Sequence, residues 1–595
     1  MKMFIKAAVC LSLAFSATSA RAFPVLHVDA SAGIGGDGSS WEAAMARLEW
    51  ALDAAAQPGS DVTEIWVAAG SYAPAESGGD VTSSFVLVDG VSLYGGFAGW
   101  ETQRDQRDPV TNVSLLTGDI EGDGSRLSFH VLTGNDLSSA TVIDGFTVTL
   151  GIGDDGSGAG IGGVGGAGAG MLLINSSPVI NNCYFHDNKA RIGSAVYVQG
   201  GDPVFNNCNF EHNWSARSGE GGGIYAIADT GSMSLTVNDS VFLFNAVTQG
   251  HYATGHGAGI YSGTGVNLNV TDTYFEGNFT WHNNSFGNGT TGGGITHLGD
   301  SAVITNCDFI ENYSNLGAGI YTAGDMTIAD CRFRGNKAVH AVTCAGFDCP
   351  GHVPDITSGY GGGVFGYIYS NVNIINSTIA GNWSAKRGGG AVLTGTITNS
   401  ILWANRVPSP LPGEDPILPV RIQVEGAVEF FYSDIEGLLQ TIPGEDPINP
   451  DDFPTDFELD PMFVETPQVS ELGGLIAAGD VHLLPGSPCI DAGDNTAVPA
   501  NVTHDLDGLQ RFVDDPDTAD TGNGSAPIVD LGSFEFQVDT PCTGDLNNDG
   551  SIDQADLGIL LAAYQNNDSG DIDGDGDTDQ ADLGALLALY GNPCN

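Results

Sequence analysis

NCYFHDN at residues 182–188, NCNFEHN at 207–213 and NCDFIEN at 306–312 share the pattern Asn-Cys-x-Phe-x-x-Asn, and this pattern decides the fold. DCRFRGN at 330–336 replaces only its first residue. About a dozen residues earlier, a Gly-rich approach leads into an apolar strand, as in Gly221-Gly222-Gly223-Ile224. The last Asn of the pattern recurs with shortest intervals of 23 to 25 residues, at Asn188, Asn213, Asn245, Asn278, Asn312, Asn336, Asn382 and Asn405. Repeats of this length predict stacked units that bury their faces against one another.

Within each predicted strand, apolar side chains alternate with a period of two. Stacking would then align like residues in inward ladders, one of Cys183, Cys208, Cys307 and Cys331 and one of Phe185, Phe210, Phe242, Phe275, Phe309 and Phe333. The recurring Asn suits a turn, because Asn tolerates left-handed backbone and its amide can bond to the Asn of the next coil. The sequence therefore predicts an all-β parallel β-helix, and a helical run from its N-cap Ser40 through Ala55 is expected to cover the first coil.

The composition limits the classes of function. The chain has 86 Gly but is 41% hydrophobic, and its formal net charge is −55. Such acidity excludes nucleic acid as a partner, since nucleic-acid binding needs a basic footprint, and it would repel anionic membranes. No apolar run reaches the ~20 residues that a membrane span needs. We interpret the acidity as a solvating surface with specific calcium sites.

The first 22 residues are typical of a signal peptide: Lys2 and Lys6 precede or flank an apolar run, and Ala20-Arg21-Ala22 forms a small-x-small cleavage site. The protein is therefore expected to be secreted or attached to a cell surface. Export permits disulfides. Cys344 with Cys349, and Cys542 with Cys594, are candidate pairs, although sequence leaves the connectivity open.

Segments on both sides of the repeat resemble bacterial right-handed β-helix proteins with the pectin-lyase-like fold. They are 85–97, 116–120 and 144–146 on the N-terminal side, and 483–493, 505–508 and 529–535 on the C-terminal side. The resemblance covers roughly residues 24–540. It implies a right-handed solenoid but no particular activity, because one fold hosts many functions. We expect an N-terminal cap with the first coils at 23–150, the repeat region at 151–410, and C-terminal coils with a cap at 411–540.

Two acidic loops near the end of the chain, 545–556 and 571–582, match each other. Oxygen side chains occupy loop positions 1, 3, 5, 9 and 12, Gly occupies position 6, and a backbone carbonyl would serve at position 7, as calcium requires. The predicted ligands of two Ca²⁺ ions are Asp545, Asn547, Asp549, Ser551, Asp553, Asp556, Asp571, Asp573, Asp575, Asp577, Asp579 and Asp582. One helix is expected after each loop, at 557–564 and 583–590, and none before the first loop.

The unit of an acidic loop followed by one helix occurs twice and resembles a type I dockerin. Residues 541–595 are therefore expected to form a dockerin-like module. The resemblance implies that Gln554-Ala555 and Gln580-Ala581 contact a cohesin-type domain or another surface scaffold. The module contains no Lys or Arg, whereas dockerins often use these residues at the interface.

Candidate catalytic residues are His256, Glu211 and Glu276. His256 stands in a Gly-His-Gly motif like that of polygalacturonases, but no Arg-x-Lys follows it. Glu211 and Glu276 follow the Phe ladder in the same phase, and glycoside hydrolysis needs two carboxyl groups at a set separation. Whether the chain is an enzyme stays open; the candidate classes are glycoside hydrolase and polysaccharide lyase.

The residue after the recurring Asn is aromatic at Trp214, Phe279, Tyr313 and Trp383. Stacked turns would align these rings along one edge, where sugars could stack on them, and packing under the turn loops is the alternative. The sequence thus predicts a secreted protein of polysaccharide catabolism or carbohydrate binding, tethered through its calcium module. The alternative is a non-catalytic adhesin or cell-surface protein.

Overall fold

The computed structural model describes residues 24–153, 166–216, 219–248, 255–281, 289–339, 358–408, 422–439, 453–470, 473–537, 543–547, 551–567 and 569–591. The predicted signal peptide and the four cysteines of the candidate disulfides, Cys344, Cys349, Cys542 and Cys594, lie outside these residues.

Short strands stack into four long sheets in which every neighbouring pair is parallel. Each complete coil passes through the first, second, third and fourth sheet in that order. The predicted parallel β-helix is confirmed, and each coil advances by the ~4.8 Å spacing of hydrogen-bonded strands.

The first sheet consists of Val25–Val28, Glu64–Ala68, Ser92–Phe97, Val142–Asp144, Val179–Asn181, Val204–Asn206, Met233–Asn238, Val266–Thr271, Ser301–Thr305, Asp325–Ala329, Val372–Ile375, Gly395–Thr398 and Val428–Phe431. The second sheet consists of Gly70–Tyr72, Ser114–Thr117, Phe146–Thr149, Tyr184–His186, Asn209–Glu211, Val241–Leu243, Tyr274–Glu276, Asp308–Ile310, Arg332–Arg334, Thr378–Ala380, Ile401–Trp403 and Asp434–Ile435.

The third sheet, which begins later in the chain, consists of Lys189–Ala190, Trp214–Ala216, Ala246–Thr248, Phe279–Trp281, Tyr313–Ser314, Lys337–Ala338 and Trp383–Ser384. The fourth sheet consists of Phe85–Val86, Leu132–Asn135, Met171–Ile174, Val196–Gln199, Ile224–Ile227, Ile260–Ser262, Ile295–His297, Ile320–Thr322, Val364–Gly366, Ala391–Val392 and Val424–Glu425.

The predicted Phe ladder runs through the core. Its six rings are fully buried and stack face to face with centroids 4.5–5.2 Å apart. The neighbouring Cys file is also inward, but it is more polar than a ladder of small apolar groups. Cys208 is followed in register by Ser240, and the main-chain N–H of Cys331 donates to the Ser377 hydroxyl. Either Cys or Ser can occupy this position, because each has a small side chain that accepts a hydrogen bond from a main-chain N–H of the adjacent coil.

The recurring Asn residues form one buried column. Each side-chain amide nitrogen donates to the amide oxygen of the Asn in the next coil at 2.9–3.1 Å, and the last, Asn405, donates to Gln423. Left-handed backbone was expected at the recurring Asn itself. It occurs at the residue before it, where Asp187 and His212 have φ of 53°. Asn is used in the column for its amide, and the left-handed turn falls on the preceding residue.

The helical run expected from Ser40 to Ala55 is broken into two pieces. Ser40 caps a short 3₁₀ turn, Trp41–Ala43, and the helix α1 covers Leu48–Ala55. The turn ends at Ala44, which adopts extended backbone. Four residues of α1 are buried against the strands at the start of the solenoid, namely Leu48, Ala51, Leu52 and Ala55.

Within the region predicted to hold C-terminal coils and a cap, 411–540, the strands Val424–Glu425, Val428–Phe431 and Asp434–Ile435 continue the parallel sheets, which end at Ile435. The described residues of 453–537, here called the return segment, pack on the outward face of the last second-sheet strands. This segment contains two antiparallel pairs, Phe463–Glu465 with Asp480–Leu483 and Gln468–Val469 with Leu475–Ala477. Arg511 joins it to the solenoid, since its guanidinium lies 2.6 Å from the Asp330 carboxylate.

Two helices follow the acidic loops, α2 at Gln554–Ala563 and α3 at Gln580–Leu589. Each begins three residues earlier than predicted, because Asp553 and Asp579 act as N-caps and a carboxylate at the third helical position completes a capping box. Among the described residues, no helix has the length and apolar character needed to cross a membrane.

Candidate ligand-binding face and metal loops

The third sheet aligns the predicted aromatic residues in one outward file. Its register runs Lys189, Trp214, Ala246, Phe279, Tyr313, Lys337, Trp383. Phe279 and Tyr313 lie on adjacent coils, while a single residue separates each tryptophan from the nearest aromatic residue. Alternation explains the file, because the residue after the buried Asn column must point outward when the next residue, such as Ser215, points inward.

The two ends of this file differ in exposure. Trp214, Phe279 and Tyr313 are half-buried, and the Lys189 ammonium lies 4.5 Å from the centre of the Trp214 ring. Trp383 is only 1% exposed. The turn at Gly473 covers it so closely that a Cβ there would lie 2.6 Å from the indole. Trp383 therefore packs against the return segment and does not face a ligand in this conformation.

Trp281 joins the same face and was missed in the sequence. It lies two residues after Phe279, so it projects from the same side of the sheet, in register with Thr248. The Thr248 hydroxyl accepts a hydrogen bond from the Trp214 indole at 2.5 Å. The Trp281 indole N–H has no hydrogen-bond partner among the described residues. Residues two apart in a strand lie on the same face, so Trp281 could have been predicted from Phe279.

A polar corner lies between the third and fourth sheets. Glu220, His256 and Thr291 occupy successive coils there, and His256 Nδ1 lies 2.7 Å from the Thr291 hydroxyl. Burial lowers the pKa of His256 to about 4, so its ring is neutral at neutral pH. Burial also raises the pKa of Glu220, which shares a hydrogen bond with the Tyr225 hydroxyl.

An aromatic ladder borders this corner on the fourth sheet. The rings of Tyr197, Tyr225 and Tyr261 stack with centroids 5.1 and 4.8 Å apart and are nearly buried. His256 was a candidate from the sequence, whereas Glu220 and these tyrosines were missed. The signal was present in the Tyr that follows the Gly-rich approach in several coils.

Glu211 and Glu276 lie in one outward file of the second sheet, with Leu243 between them. Two coils separate their backbones by ~9.6 Å. Each carboxylate accepts a hydrogen bond from a tyrosine hydroxyl, Glu211 from Tyr184 and Glu276 from Tyr274. The third sheet lies between these carboxylates and His256, so the fold does not assemble the three candidates into one catalytic centre.

The second acidic loop is folded around its own carboxylates. Asp571 accepts hydrogen bonds from the main-chain N–H groups of Gly574 and Gly576, at 2.7 and 2.8 Å. Asp582 accepts three more, from residues 572, 573 and 579. Gly576, at loop position 6, has φ of +99°, as the predicted sharp turn requires.

Two groups of carboxylates in this loop have oxygens within 4.8 Å of one another, Asp571 with Asp573 and Asp582, and Asp577 with Asp579 and Asp582. The charge of Asp575 raises the pKa of Asp577. In the first loop Asp556 repeats the role of Asp582 toward residues 546, 547 and 553. Asp549 lies outside the described residues. The predicted partner-binding residues, Gln554, Ala555, Gln580 and Ala581, are all exposed in the first turns of α2 and α3.

Comparisons with known proteins bear on the fold. The family model described as "Right handed beta helix region" matches residues 160–280. With the four parallel sheets, this match shows the solenoid to be a right-handed parallel β-helix. Among solved structures, the chain is similar to the crystal structure of pectate lyase Pel9A, with 13% sequence identity and a TM-score of 0.38, over 87% of this chain and 97% of that chain. No curated protein sequence matches this one.

Proposed function

We propose that this right-handed β-helix is an exported protein that binds polysaccharide along the outward side of its third sheet. The binding surface, here called the aromatic face, consists of Trp214, Phe279, Trp281 and Tyr313. The observation that carries the proposal is the strand register, which sets these rings on successive or alternate coils along one side of the sheet.

A row of half-buried rings suits a sugar chain. Pyranose rings have apolar faces that stack on aromatic side chains, while their hydroxyl groups need nearby polar partners. Thr248, Lys189 and Lys337 supply such partners within the same sheet. The regular spacing of coils also matches a polymeric ligand better than a compact one, because the surface extends in one direction.

The polar corner beside this face makes catalysis the second candidate. Glu220, with its pKa raised by burial, is a potential proton donor, and the neutral His256 lies on the next coil. A hydrolase or lyase would use these groups on a sugar held by the aromatic face. A non-catalytic adhesin would use the face alone.

The test is a binding titration of the full chain against a panel of soluble polysaccharides. Trp214→Ala and Phe279→Ala should each weaken binding by roughly tenfold, since a lost aromatic stack costs about 1–1.5 kcal/mol. The matched control is Trp100→Ala, which removes an indole that is 65% exposed in the loop after the first-sheet strand Ser92–Phe97. If no polysaccharide binds, or if all three variants behave alike, the proposal fails.

The same panel separates an enzyme from an adhesin. Release of soluble sugars that stops in Glu220→Gln, with binding retained, would support catalysis at the polar corner. Binding without release would support the non-catalytic alternative.

We also propose that residues 543–591 hold two Ca²⁺ ions and dock on a cohesin-type domain or another surface scaffold. The donor set fits calcium: each loop is rich in carboxylate oxygens, and the second has its glycine in the required left-handed conformation. The exposed Gln-Ala pairs at the starts of α2 and α3 repeat in both halves and offer a twofold docking surface.

Calcium binding to the full chain tests this tether. The double variant Asp545→Asn with Asp571→Asn should lose two equivalents of bound Ca²⁺ at roughly 0.15 M salt, where diffuse binding to surface charge is screened. Asp53→Asn, which changes an exposed carboxylate on α1, is the control and should lose none. An unchanged stoichiometry in the double variant would reject the calcium loops.

A further inference from the structure

We propose a third calcium site, in the return segment, formed by Asp491, Asp514 and Asp520. One carboxylate oxygen of each residue lies within 4.8 Å of the corresponding oxygens of the other two. Asp491 is fully buried, whereas Asp514 and Asp520 are exposed. The site therefore has a buried floor and a side open to solvent, from which an ion can enter.

The main chain holds Asp491 in place. Its N–H donates to the Asp530 carboxylate at 2.8 Å, and its carbonyl accepts from the N–H groups of Thr521 and Gly522 at 2.9 and 3.1 Å. The Asp491 residue itself has φ of +53°, a left-handed conformation that costs free energy for a side chain other than Gly. The surrounding chain imposes this conformation and wraps residues 514–522 around the carboxylate.

One carboxylate oxygen of Asp491 lacks a partner, and this indicates a ligand. Oδ2 accepts a hydrogen bond from the main-chain N–H of Asp515 at 3.3 Å. Oδ1 is buried and has no hydrogen-bond partner among the described residues. A buried carboxylate oxygen without a donor is costly, and a bound cation removes that cost.

The local charge balance favours a bound cation. Besides Asp491, the return segment buries four further acids, Asp505, Asp515, Asp530 and Glu535. Arg511 is the one fully buried arginine or lysine among the described residues, and its guanidinium contacts Asp330 and Glu535. Asp491 therefore has no positive side chain as a partner in that part of the chain.

Calcium fits this donor set. The three side chains offer only hard oxygen atoms, which exclude metals that prefer nitrogen or sulfur. Oxygens bound to one Ca²⁺ at about 2.3–2.6 Å lie at most about 5 Å apart, and the three carboxylate oxygens here all lie within 4.8 Å of one another. Water on the open side can complete the six to eight ligands that calcium takes, whereas Mg²⁺ demands a stricter octahedron.

The experiment counts calcium in the full chain by equilibrium dialysis at roughly 0.15 M salt. The starting protein carries Asp545→Asn and Asp571→Asn, so the terminal loops do not contribute. It should retain one Ca²⁺ per chain. Adding Asp514→Asn and Asp520→Asn should remove that ion or weaken its binding at least tenfold. Both residues are exposed, so the fold should persist, and circular dichroism checks this.

Asp517→Asn is the matched control, because Asp517 is exposed in the same loop but lies outside the carboxylate group. It should keep the ion. Calcium should also raise the unfolding temperature of the starting protein but not that of the Asp514/Asp520 variant. Absence of a bound ion in the starting protein, or equal binding in the variant and control, would overturn the site. Preferential binding of Mg²⁺ at equal concentration would overturn its assignment to calcium. These outcomes are independent of polysaccharide binding and of the two terminal loops.

Discussion

At the scale of single residues, the Asn column shows how one side chain holds neighbouring coils together. Asn278 donates its amide hydrogens to the Asn312 oxygen and the Phe242 carbonyl, at 3.0 and 2.8 Å. Its own oxygen accepts from the main chain and the side chain of Asn245. All four bonds are buried, and no other uncharged side chain of this size offers two donors and an acceptor in that geometry.

Asn278→Ala should therefore lower the free energy of unfolding by roughly 3 kcal/mol, because it leaves the buried donors of Asn245 and the Phe242 carbonyl on the preceding coil without this partner and removes one of the two donors to Asn312 on the next coil. The measurement is the shift of the urea denaturation midpoint. Asn269→Ala is the control: Asn269 is exposed on the first-sheet strand of the same coil, and its loss should change the free energy by less than about 0.5 kcal/mol. Similar midpoints for the two variants would contradict a structural role for the column.

At the scale of elements, the strands are too short to be stable alone, and each depends on the strands above and below. The edge of the stack therefore needs a cover, and the return segment supplies it at the C-terminal end. The last second-sheet strand, Asp434–Ile435, shows the junction. The buried Asp434 carboxyl accepts from the Leu459 N–H and from the Cys489 thiol, at 3.1 and 3.4 Å.

This junction should make stability depend on pH. Burial raises the pKa of Asp434 from 3.8 to about 7. The folded state therefore holds the proton more tightly than the unfolded state, and this contribution to stability is lost as pH rises from about 4 through about 7. Asp434→Asn keeps the shape without the charge, so relative to wild type it should gain up to roughly 4 kcal/mol in free energy of unfolding at pH 8 compared with pH 4.

Urea denaturation at several pH values measures this difference. Glu429→Gln, which changes an exposed carboxylate on the neighbouring strand Val428–Phe431, is the control and should show little pH-dependent gain. A gain for Asp434→Asn that is equal at both pH values, or larger at pH 4, would refute the explanation.

At the scale of the whole molecule, each side of the solenoid carries a different feature. The second sheet carries the return segment, which Arg511 anchors to Asp330 across 181 residues of sequence. The third sheet carries the aromatic face, and the polar corner lies between the third and fourth sheets.

The sequence by itself determined the parallel stacking, the Phe ladder, the Asn column and the single file of aromatic residues. A residue that recurs once per coil meets its own copy in the next coil, so a linear period of 23 to 25 residues is enough to predict these contacts. The helices after the acidic loops were also predictable, apart from their first turns, because loop and helix are local features.

Only the tertiary structure decided which parts of these files are accessible and what surrounds them. Trp214 and Trp383 follow the same Asn in the same pattern, yet Gly473 covers Trp383, 90 residues further along the chain. The carboxylates of Asp491, Asp514 and Asp520 meet for a similar reason, through a segment that folds back instead of forming another coil. These contacts join residues that do not recur at the spacing of the coils. The repeat in the sequence therefore predicts neither the contacts nor the burial that they cause.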